Sequence, residues 1–180
     1  IKARIPTARV RTLFSQFMPD SELKEWQDAG LNPVRAGAGV AMREADFALT
    51  QPGTNTFELM HCGLPALVVA PEKFLDFVQV SGALGLLANL PLIGRSLRKI
   101  GALKIIKRWG GVISLPNRIS SGKVMNELYG DILPEDVAEE ICEELRNPDK
   151  LQKTHEELLN LSNQAPSGAA KRLCDIALTK

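Results

Sequence analysis

The chain has 180 residues, a length that suits one compact domain. With 44% apolar and 24% charged residues it is excluded from the disordered and collagen-like classes. Its 22 basic and 21 acidic residues leave a net charge of +1, which argues against a general nucleic-acid binder.

The chain opens at Ile1 with a strand-like basic stretch and no signal-peptide pattern, so we expect a piece of a longer protein. Asp20 and Ser21 suit the start of a short helix carrying Leu23 and Trp26, ended by Gly30 and the Asn32-Pro33 step. Gly37 and Gly39 read as a flexible joint. Phe47 to Thr50 is short and apolar. After Pro52-Gly53, residues Thr54 to Cys62 read as a helix stopped by Gly63 and Pro65, and Ala66 to Ala70 is a continuous apolar run. An unalternating run between breakers fits a parallel strand buried on both faces, so strand, helix and strand make a βαβ unit. Gly111 to Leu115, closed by Pro116, is a further candidate strand. Pro134 opens a helix whose apolar positions are Val137, Ala138, Ile141, Cys142 and Leu145, with Asn147-Pro148 stopping it. Leu151, His155, Leu158 and Leu159 form a second stripe, and Ala170, Leu173, Cys174 and Ala177 a third. Glu135, Asp136, Glu139, Glu140, Glu143 and Glu144 read as a solvated helix face.

Charge is segregated along the chain: from Phe77 to Asn126 there is no Asp or Glu, and the acids collect from Glu127 to Glu157. The segment Phe74 to Trp109 mixes Leu84, Leu86, Leu87, Leu90, Leu92, Ile93, Leu97, Ile100, Leu103, Ile105 and Ile106 with six basic residues. It suits an interfacial element on an anionic membrane, or equally a packed helix pair with a solvated basic face. Its charge-free stretch Val78 to Gly94 falls short of the ~20 apolar residues of a spanning helix. Cys62, Cys142 and Cys174 have no short pair spacing, and His61 and His155 lie far apart. We therefore expect no metal site and a reducing, cytoplasmic setting.

In a parallel sheet, Pro52-Gly53-Thr54-Asn55 would lie at the carboxyl end of a strand, where the free amides of a helix start favour an anion. Gly53 lets a phosphate approach the backbone closely. Asn55 with Glu58 three residues later also fits a capping box that needs no ligand.

The stretch Ala45 to Glu58, followed by Gly63-Leu-Pro65-Ala-Leu-Val-Val69, resembles the donor-binding core of nucleotide-sugar glycosyltransferases built from two Rossmann domains. A second block, Ile113-Ser114-Leu115-Pro116-Asn117 with Glu127-Leu128 further on, is similar to the lipid-A-disaccharide synthase family, as is the tail from Ser167 to Leu178. The resemblance covers about Ala45 to Leu178. It implies an α/β, Rossmann-like parallel sheet flanked by helices: the C-terminal half of a GT-B glycosyltransferase, spanning residues 1–180 as a single domain with a basic, apolar insertion near 74–110 and lacking the N-terminal acceptor domain.

By this resemblance Gly53, Thr54 and Asn55 meet the diphosphate of a UDP-sugar, and Glu58 receives the ribose hydroxyls. Asn117 serves the active site, with Glu127 also placed to bond the donor. The bland alternative for Asn117 is a turn residue after Pro116. The full protein would transfer a hexosyl group to a lipid or glycolipid acceptor, the leaving diphosphate being held by amides and side-chain donors without a metal or other cofactor. The acceptor-activating base belongs to the N-terminal half, so this half alone would bind donor without turnover. Implied partners are the UDP-sugar, a lipid-linked acceptor, an anionic membrane surface that makes the protein peripheral, and the N-terminal half, with self-association left open and no nucleic acid. Two departures stand out: Pro52 replaces the family's Ser, removing a hydroxyl and an N–H donor, and Tyr129-Gly130 replaces Leu-Gln. The contrasting readings are a membrane- or partner-binding module that retains the fold without catalysis, and a nucleotide-sugar epimerase-like protein.

Overall fold

The computed structural model describes residues 1–14, 17–35, 37–72, 100–101, 104, 106–120, 122–164 and 168–178. The expected insertion near 74–110 therefore lies largely outside the described residues.

Near the amino end, β1 (Thr12–Leu13) pairs in parallel with β2 (Pro33–Val34), and α1 (Asp20–Asp28) connects them. Phe14 is buried edge-on against Trp26, with ring centroids 5.3 Å apart, and the Arg35 guanidinium lies over the same ring while bonding Asp20 Oδ1 at 2.6 Å. The strand expected at the very start is a set of turns instead. Asp20 is the first helical residue rather than a cap, because Pro19 already occupies the capping position. Gly37 and Gly39 do not make a joint: Gly37 precedes α2 (Ala38–Arg43) and Gly39 sits inside it, with Met42 turned into the core.

The larger sheet is parallel, in the order β3 (Ala48–Thr50), β4 (Ala66–Pro71), β5 (Asn126–Gly130). The β3–α3–β4 unit follows the expected boundaries closely, with α3 at Thr54–His61. Thr56, Leu59 and Met60 are its buried positions, spaced so that they share one face. Ala66, Val68 and Ala70 pack on one side of β4 with Leu59, Met60, Leu64, Ile113, Met125 and Leu158, whereas Leu67 and Val69 pack on the other with Ile141, Val137 and Leu145. Burial on both faces is why this strand reads as an unbroken apolar run, and each buried Val or Leu side chain contributes about 1.5–3 kcal/mol.

Helix α4 (Leu115–Ile119) is short, whereas α5 (Pro134–Leu145), α6 (Pro148–Gln164) and α7 (Ala169–Leu178) make the C-terminal third helical as expected. Pro134 stands in the first turn of α5, and Asp136 Oδ2 accepts the Leu133 amide at 2.9 Å, tying down one N–H that the helix leaves free. The acidic face of α5 is solvated except at Glu140, half-buried and bonded by Asn126 Nδ2 at 2.7 Å, and at Glu144, which is buried and bonded by Asn126 Nδ2 and Lys150 Nζ. Helix α6 lies across α3. His155 Nδ1 meets the Gly63 carbonyl oxygen at 2.6 Å, so His155 is a packing residue of this contact.

Candidate functional site

The first block sits where β3 gives way to α3. Gly53 is the residue before the helix and is extended, with open space around its Cα. Its carbonyl oxygen accepts the Thr56 amide at 3.1 Å and the Thr56 hydroxyl at 2.8 Å. Gly53, Thr54, Asn55 and Glu58 are all exposed. The helix begins at Thr54, so Asn55 is already inside it and the Asn55–Glu58 capping box does not form. What remains at the surface is a first turn whose amides have no acceptor within the helix, beside a carboxylate free of the backbone role that a capping box would have given it.

The second block is not the strand expected over Gly111 to Leu115. Ser114 caps α4, its Oγ accepting the Asn117 amide at 3.4 Å, and Pro116 stands in the first turn of that helix. The strand is instead β5, where polar Asn126 and Glu127 hid an apolar pattern. Glu127 is in register with Val68, on the face toward α3, and its carboxylate accepts the amides of Ile113 at 2.9 Å and Ser114 at 2.8 Å. The Asn117 side chain is buried, 5% exposed. Its amide donates to Glu127 Oε1 and to the Met125 carbonyl, each at 2.7 Å, while Oδ1 accepts from Val124 at 2.7 Å and Met125 at 2.9 Å. Two N–H groups and two lone pairs are the whole capacity of a carboxamide, and all four are used.

The two blocks, far apart in sequence, meet through one side chain. Thr56 is fully buried and its Oγ1 accepts the Leu115 amide at 3.3 Å. The structure thus brings Asn117 and Glu127 into direct contact and attaches their turn to the helix that follows Gly53. Sequence reasoning passed over Thr56. Its only sequence signal was a β-branched hydroxyl one turn before Leu59 and Met60, on the buried face of a helix. Ser114 was legible as a cap, two residues before a proline, had the segment not been read as a strand.

The chain is similar to a lipid-A-disaccharide synthase. It is 27% identical over 169 residues to the protein of that name from Syntrophus aciditrophicus (strain SB), an alignment covering 93% of this chain and 38% of the relative. The relationship is distant, and it is to a glycosyltransferase. The chain spans 38% of that relative's length. No family model matches the chain, and no solved structure matches it. The parallel sheets with flanking helices are the α/β architecture expected of a Rossmann-like half of such an enzyme.

His61 lies at the exposed end of α3, its Nδ1 2.5 Å from Ser162 Oγ and its ring edge-on to Phe57. Among the described residues no group of three or more His, Cys, Asp or Glu is placed to hold a metal ion, and no helix is long and apolar enough to cross a membrane.

A basic and apolar patch lies near the second block. At the described positions residues 100–101, 104 and 106–108 are helical, and Ile100, Lys104, Lys107 and Arg108 recur on an exposed face. Trp109 follows, 39% exposed, with the Arg118 guanidinium 3.9 Å above its ring, and Ile119 beside Arg118 is 57% exposed.

Proposed function

We propose that this chain is the nucleotide-sugar-binding half of a glycosyltransferase that moves a hexosyl group from a UDP-sugar to a lipid or glycolipid acceptor. The observation that carries the reading is the bond from the Leu115 amide to Thr56 Oγ1, which unites the two blocks of the resemblance, the first following the carboxyl end of β3 and the second held at the amino end of β5. The amides of Gly53, Thr54 and Asn55 receive the diphosphate, and Glu58 accepts the ribose hydroxyls. Asn117 and Glu127 serve the donor through the turn they hold, since the Asn117 amide is already fully bonded. As charge builds on the leaving diphosphate, amides fixed in advance stabilise it without reorganising, so no metal is required.

Calorimetric titration with UDP, UDP-N-acetylglucosamine and ADP tests this reading. Saturable binding selective for the uridine ligands, unaffected by EDTA and lost in Gly53→Trp and Glu58→Ala, is expected. A folded chain that binds none of them overturns donor binding by this half. The second reading, a membrane-binding module that keeps the fold without the chemistry, is favoured by the Trp109–Arg118 patch and by Pro52, which removes an amide donor from the loop. It predicts liposome binding with no nucleotide binding.

A further inference from the structure

We propose that Thr56 is a positioning residue that couples the Gly53–Asn55 loop to the Ser114–Asn117 turn, so that a phosphate-bearing ligand at the first is felt at the second. The inference rests on the proposed donor site for its ligand, but the coupling itself stands on geometry alone. Thr56 is fully buried, and its hydroxyl has two partners of opposite kind: the Gly53 carbonyl oxygen at 2.8 Å and the Leu115 amide at 3.3 Å. A backbone amide only donates and a carbonyl only accepts, so the single hydroxyl proton points to Gly53 and the bonds run in one direction, from Leu115 N–H through Oγ1 to Gly53 O. Bonds in such a chain polarise one another. Threonine suits the task because its branched Cβ restricts the rotamer that holds both contacts.

An anion drawn to the amides of Gly53, Thr54 and Asn55 acts on the peptide units flanking the Gly53 carbonyl. That carbonyl is one end of the chain, and the other end is the first residue of α4. There the turn is held rigidly, because Glu127 ties down the amides of Ile113 and Ser114, and Asn117 joins Glu127 to Met125. A shift of Leu115 therefore moves the turn as a body.

Amide NMR of the intact chain tests the coupling in two arms. In the first, saturation with UDP is expected to shift the resonances of Gly53–Asn55 and of Ser114–Asn117 in the wild type and in Thr56→Ser, which keeps the hydroxyl, but only the first set in Thr56→Val, which keeps the shape alone. In the second, without ligand, Ser114→Ala is expected to perturb the Gly53–Asn55 amides in the wild type and not in Thr56→Val. Leu115→Pro removes the donor from the opposite side, at a helix position that accepts proline, and is expected to give the same silence if Thr56→Val does not fold. Transmission in Thr56→Val or Leu115→Pro equal to the wild type overturns the proposal. If UDP shifts nothing while Ser114→Ala still reaches Gly53 through Thr56, the nucleotide reading falls and the coupling holds.

Discussion

Replacing Asn117 with alanine strips partners from Val124, Met125 and Glu127 at once, and the bonds to Met125 are buried. Leaving a buried polar group unpaired costs about 1–3 kcal/mol, so Asn117→Ala is expected to lower unfolding free energy by about 3 kcal/mol in urea titration. Asn117→Asp is expected to lower it further, since a carboxylate oxygen would face Glu127 Oε1 where an N–H now donates. Glu58→Ala gives the contrast, staying within about 0.5 kcal/mol of the wild type in the same titration because the side chain is exposed, while abolishing the proposed uridine binding. Gly63 has φ +62°, and a Cβ there would come 2.8 Å from both His155 Nδ1 and Leu159 Cγ. Gly63→Ala is expected to cost about 2–4 kcal/mol by calorimetric melting, from backbone strain and overpacking together. Adding His155→Ala recovers only part of this, since Leu159 and the backbone conformation are unchanged.

The βαβ unit was legible because β4 is buried on both faces and α3 is bracketed by Gly53 and Gly63, so composition and breakers agreed. β5 was missed for the opposite reason. Asn126 and Glu127 spend their side chains on Glu140 and on the amides of the preceding turn, and strand edges that carry such bonds do not look apolar. Gly111 to Leu115 looked like a strand because Val112, Ile113 and Leu115 fall within four positions, but Ser114 and Pro116 set a helix start that outweighs them. Of the candidate site, the exposed loop was readable from its glycine and its position after a strand, whereas the bonding of Asn117 depends on residues brought together only by the sheet. The segment that carries Trp109 gives its own test. With Trp26→Phe, Trp109 is the sole tryptophan, and its emission is expected to shift blue on vesicles containing anionic lipid and to be quenched by brominated acyl chains. Lys104→Glu, Lys107→Glu and Arg108→Glu together are expected to weaken that binding about a hundredfold at low salt, each cation near a charged bilayer being worth about 1 kcal/mol.

Taken whole, the described fold stacks two apolar layers on the larger sheet, one under α5 and one under α3 and α6. The second layer is assembled from distant pieces: Gly63 meets His155 across 92 positions of sequence, and Leu158 closes over Leu59, Met60 and Leu64. A chain growing from its amino end therefore finishes the β3–α3–β4 unit well before its cover exists. Until α6 emerges, the greasy flank of α3 stands open to solvent, at the stage when a nascent polypeptide is most prone to stick to its neighbours. Ribosome-bound chains halted after Asn147 are expected to recruit holding chaperones, and chains halted after Gln164 has cleared the exit tunnel to let them go.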